Sequence, residues 1–90
     1  MSESTIKIKL LQLIKQHTNN DYTFTHQLHI NPVTMHYIGL IKHPNNVLTY
    51  QSNDVSFKQA LFKLVQRLYI LKVITEDTYM IAHKIIFEYE

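Results

Sequence analysis

A chain of 90 residues with 46% hydrophobic side chains and a net charge of +2 has the size and composition of one globular domain, neither disordered nor strongly basic. It contains no cysteine, which excludes disulfides and thiolate metal sites and points to a reducing cytoplasm. Lys7, Lys9 and Lys15 interrupt the apolar residues near the amino terminus, so that stretch lacks the core of a signal peptide and the length of a membrane span.

The first element is predicted to be a helix from about Ser4 to His17, capped by Ser4 and burying Ile6, Leu10, Leu13 and Ile14. The turn formers Thr18, Asn19, Asn20 and Asp21 end it. Tyr22–Ile30 then alternates Tyr22, Phe24, His26, Leu28 and Ile30 with polar residues, which is the period of a strand.

Asn31-Pro32 breaks that pattern, and residues 33–43 admit two readings. Asn31 and Pro32 can open a short helix. The favoured reading makes Met35–Lys42 a second strand, turned by Pro44-Asn45-Asn46 into a third at Val47–Gln51. Gly39 then marks a bulge or a close backbone approach, and Ser52-Asn53-Asp54 forms a loop.

From Ser56 to Val73 the chain takes the helical period, with Ser56 or Asp54 as cap. Phe57, Leu61, Leu64, Val65, Leu68 and Leu71 make one face, and Phe62, Tyr69 and Val73 flank it. The apolar arc is about 220° wide, against about 100° for an ordinary surface helix. Thr75 caps a last helix, with Glu76 and Asp77 in its first turn. That helix is apolar on nearly every side.

The fold expected is therefore a single α+β domain over residues 1–90: helix, three-stranded antiparallel sheet, then two C-terminal helices on one face of the sheet. The run LYILKVITEDTYMIAHKII resembles a helix–turn–helix hairpin of general occurrence. Up to the long helix, the element order resembles that of the double-stranded RNA-binding domain. That family places a lysine-rich turn at the start of its last helix to cross phosphates. The equivalent stretch here, Asp54 to Ala60, holds only Lys58, so the resemblance carries topology and not a site.

Few residues suggest reaction chemistry. His26, His29, His36 and His43 are close in sequence, but His26 and His29 point to opposite faces of a strand and cannot share one metal ion. One glycine is too few for a phosphate loop or a nucleophile elbow. The chain reads as non-enzymatic, with no metal site and no cofactor.

Apolar surface is what the sequence has in excess. The expected function is a protein-binding module that occupies a surface of a host protein, with inhibition as one outcome, or that pairs with its own copy as a homodimer. Phe62, Tyr69, Val73, Tyr79, Ile86 and Phe87 supply the contact, with Tyr89 at its rim. Burial of these residues within the chain itself is the competing expectation. The alternative function is nucleic-acid binding by Lys58, Lys63, Arg67 and Lys84, with Tyr22, Tyr37 and Tyr50 stacking on bases. Abundant Ile, Lys, Asn, Tyr and Phe, beside scarce Gly, Pro, Ala and Arg, match A/T-rich codons and suggest a low-GC bacterium, its phages or its mobile elements.

Overall fold

The computed structural model describes residues 2–88. Six elements follow one another: α1 (Glu3–Thr18), β1 (Tyr22–His29), β2 (Met35–Lys42), β3 (Val47–Asp54), α2 (Phe57–Ile70) and α3 (Glu76–Phe87). The order is α-β-β-β-α-α, as the sequence pattern implies. Among the described residues no helix is long and apolar enough to cross a membrane.

Helix α1 starts at Glu3, with its cap two residues earlier than the pattern suggests. Ser2, not Ser4, is the cap: its hydroxyl accepts from the Thr5 N–H at 3.2 Å, and Glu3 then lies at the positive end of the helix. Asn19 closes α1 in the left-handed conformation, its N–H donating to the Lys15 carbonyl at 2.8 Å.

The sheet is a meander in the order β1-β2-β3, with both pairs antiparallel. Residues 35–42 form a strand, not a helix, because they find partners on both sides. Asn46, with φ 54°, makes the left-handed step of the β2–β3 turn. Gly39 marks a close approach: Leu48 and Thr25 side chains cover its α-carbon. The bulge lies next to it, between Leu40 and Ile41, where Thr49 of β3 has no partner.

Strand β3 runs on to Asp54, so Ser52-Asn53-Asp54 is not a loop. These polar residues read as turn formers, yet the fold satisfies them in extended form. Ser52 Oγ donates to the Ala60 carbonyl at 2.6 Å, and Asp54 accepts from the Ser56 N–H at 3.1 Å.

One core cluster joins α1 (Ile6, Leu10, Ile14), β2 (Ile38, Leu40), α2 (Leu61, Leu64, Leu68) and α3 (Ala82, Ile85, Ile86). Helix α2 packs on β2 and β3, α1 on β1, and α3 against both α1 and α2. The face of the sheet carrying Thr25, Tyr37, Gly39, Leu48 and Gln51 is the one turned away from Ile38 and Leu40.

Helix α2 ends at Ile70, three residues short of the expected Val73. Lys72 turns left-handed, with φ 62°, and the Val73 N–H closes back on the Leu68 carbonyl at 2.8 Å. Leu71, expected on the buried face, is thereby swung out into solvent.

Candidate protein-contact surface

The α2–α3 seam is built from aromatic rings. Phe62 and Tyr69 lie on the α2 flank toward α3, and Tyr79, His83 and Phe87 meet them from the other side. Ring centroids are 5.7 Å apart for Phe62–Tyr79, 5.4 Å for Phe62–Phe87 and 4.9 Å for Tyr69–Tyr79, all in tilted or edge geometry. Such contacts add about 0.5–1.5 kcal/mol each beyond area burial.

The expected contact residues therefore divide. Phe62, Val73, Tyr79 and Phe87 are half-buried against the core, with part of each ring or side chain reaching solvent. Ile86 is 0% exposed and belongs to the core, so the folded chain has no Ile86 surface to offer. Tyr89 lies outside the described residues. Much of the apolar surface counted from the sequence is thus covered from within, by the inner face of α3.

Of the apolar side chains left open, which include Ile30, Val33, Val47 and Val55, the end of α2 holds a consecutive run. Tyr69, Ile70 and Leu71 are consecutive and 38, 73 and 56% exposed. Ile70 belonged to neither apolar line in the sequence, and that was the available signal: a large aliphatic residue outside both stripes has no core to enter. Leu71 continues the helical period in the sequence, but the helix has already stopped before it, so its side chain leaves the buried face. Met80 and Ile81 on α3 are exposed as well.

Beside Ile70 and Leu71 opens a cleft of about 800 Å³ that wraps the free edge of β3, lined by Gln51, Asn53, Lys63 and Arg67. Lys63 is engaged there: its ammonium sits 2.7 Å from Asp54 Oδ2 and 3.3 Å from the Asn53 carbonyl. That bond, with the Ser56 N–H, holds the Asp54 carboxyl below the usual carboxylate range. The Arg67 guanidinium is exposed and has no hydrogen-bond or ion-pair partner among the described residues.

The cations proposed for nucleic acid do not form one stripe. Lys58 and Arg67 are nine residues apart, so at about 100° per residue they stand on opposite sides of α2. Lys63 is paired, and Lys84 is on α3. Of the three tyrosines, only Tyr37 lies on the open sheet face, edge-on to His29 with centroids 4.8 Å apart. Tyr22 and Tyr50 pack against the core, and burial raises the Tyr22 phenol above its ordinary pKa.

The histidines occupy different faces. His26 and His36 face inward beside Phe57, while His29 faces outward and His43 bonds Thr23 at the far end of β1. Among the described residues no group of three or more histidine or acidic side chains is arranged to hold a metal ion. Compared with known proteins, the chain matches no family model, no curated protein and no solved structure.

Proposed function

We propose that this protein is a non-enzymatic protein-binding module whose contact surface is the exposed end of α2 with the aromatic seam behind it. The observation that carries this reading is the run Tyr69-Ile70-Leu71, three consecutive large apolar side chains reaching solvent at the end of a helix that buries Phe57, Leu61, Leu64, Val65 and Leu68 and half-buries Phe62. Leaving them exposed forgoes about 1.5–3 kcal/mol of burial for each aliphatic side chain, a cost that a partner removes on docking. The half-buried rings of Phe62, Tyr79 and Phe87 hold the helix pair rigid, so little ordering is required on association.

Nucleic-acid binding is the weaker reading, since its cations are dispersed and two of its three tyrosines face the core. Panning a phage-displayed random peptide library tests the proposal. The wild-type chain is expected to enrich a peptide consensus that the Ile70→Ser/Leu71→Ser variant loses. Equal enrichment on both, or none on either, overturns it. Binding to single-stranded RNA that survives this double variant and weakens steeply between about 50 and 200 mM salt points to the alternative.

A further inference from the structure

Strand β3 is the edge of the sheet beside Ile70, and the polar groups of its backbone define what fits there. In an antiparallel pair, alternate residues turn their N–H and C=O groups toward the partner strand and away from it. Lys63 reaches the Asn53 carbonyl from outside the sheet, so Asn53 faces away from β2, and so does Gln51 two residues earlier. The Tyr50 carbonyl between these positions and the bulge lies near Gly39 of β2, as the alternation requires. Gln51 N–H and C=O and the Asn53 N–H therefore open into the cleft that Arg67, Ile70 and Leu71 border.

We propose that this cleft takes an extended acidic segment of a partner protein, added as a fourth strand along β3. A carboxylate of that segment pairs with Arg67, and an apolar side chain rests on Ile70 and Leu71. The inference rests on the protein-binding reading above and names its occupant. Two features select the charge. Arg67 is a guanidinium without a partner among the described residues, suited to bidentate carboxylate recognition. Lys63 adds positive charge on the same wall, although Asp54 partly neutralises it.

A second copy of this chain fits poorly. Its β3 brings Gln51 and Asn53 to the edge, and its one β3 carboxylate, Asp54, is held by Lys63. Two-fold pairing of β3 strands also sets Arg67 and Lys63 of each copy against their counterparts, which costs affinity. A partner strand with its own free acid meets neither obstacle.

The test uses a peptide selected by panning on the full chain, labelled and titrated by fluorescence anisotropy. The consensus is expected to hold an acidic residue near an apolar one. Arg67→Glu, a change of an exposed side chain without a partner among the described residues, should weaken binding about tenfold or more. Replacing the peptide acid by its amide should cause a similar loss, and the two changes together should not add. N-methylating alternate peptide amides should abolish binding if they face β3, and leave it intact in the other register. The proposal is overturned by a consensus without acid, by binding indifferent to Arg67→Glu, by peptides that bind as helices, or by dimerisation of the chain through β3. Each of these leaves the Ile70 and Leu71 dependence readable, so the broader reading stands or falls separately.

Discussion

His26 Nε2 lies 2.9 Å from His36 Nδ1, and the two rings stack with centroids 5.1 Å apart. They come from adjacent strands, at diagonal positions on the inner face of the sheet. Lys7 of α1 stands 3.3 Å from His26 Nδ1 and 5.5 Å over the Phe57 ring. The ammonium can only donate, so His26 Nδ1 accepts, its Nε2 carries the proton, and that N–H donates to His36 Nδ1. The pair sits where α1, the sheet and the start of α2 meet.

This arrangement makes stability pH-dependent. Burial, then the Lys7 charge, push the His26 pKa below its ordinary value; Glu3 opposes them and His36 adds to them. The unfolded chain therefore takes up this proton at higher pH than the folded one, and acid favours unfolding. The contribution is complete above about pH 6.5 and is lost as the pH falls through the folded value. Its slope is at most about 1.4 kcal/mol per pH unit, and smaller because the ring is partly open to solvent. Urea midpoints between neutral and mildly acidic pH should fall more steeply for the wild type than for His26→Gln. Parallel slopes would remove His26 from the account.

Gly39 has a steric reason that a double-mutant cycle can check. A methyl group there would stand 2.5 Å from Leu48 Cδ1 and 2.8 Å from Thr25 Oγ1. Both are side-chain atoms, and Leu48 is half-exposed and free to swing. Gly39→Ala should cost about 1 kcal/mol and Gly39→Val about 2–3 kcal/mol. In a Leu48→Ala background the Ala penalty should shrink but not vanish, the remainder reporting the Thr25 Oγ1 contact, read from chemical denaturation.

Lys72 holds a left-handed backbone with φ 62° without being glycine. A Cβ in that region costs about 1 kcal/mol, and the end of α2 is where glycine is ordinarily found. Lys72→Gly should raise stability by about 0.5–1 kcal/mol, visible as a higher urea midpoint with unchanged slope. A lower midpoint would mean that the Lys72 side chain stabilises the turn by more than its backbone costs.

Helix α3 is structural on its inner face. Ile86→Ala should destabilise by about 2–5 kcal/mol, because Ile86 is fully enclosed by the core. A chain ending at Thr75 would leave the α1 and α2 surfaces that α3 covers open to water, and should lose its near-UV circular dichroism. A folded, monomeric chain of that length would instead make α3 an appendage.

Local patterns carried most of the architecture. Period two at Tyr22–Ile30, the turn formers at 18–21 and 44–46, and caps Ser56 and Thr75 each act within a few residues, so the chain displays them directly. The buried faces of α1 and α2 followed from the same short-range periodicity, apart from Leu71. What the tertiary structure alone decided depends on register and on where a helix stops. Ser52-Asn53-Asp54 is strand because Ile38, Tyr37 and His36 stand opposite it. His26 meets His36 only because one strand pairing puts them on the same diagonal. Ile86 is core and Ile70 is surface because α3 turns Ile86 into the shared core, whereas Ile70 lies on the side of α2 that borders the open cleft with Lys63 and Arg67. Two residues of equal hydrophobicity have opposite fates there, since burial depends on what packs alongside, which no single stretch of sequence contains.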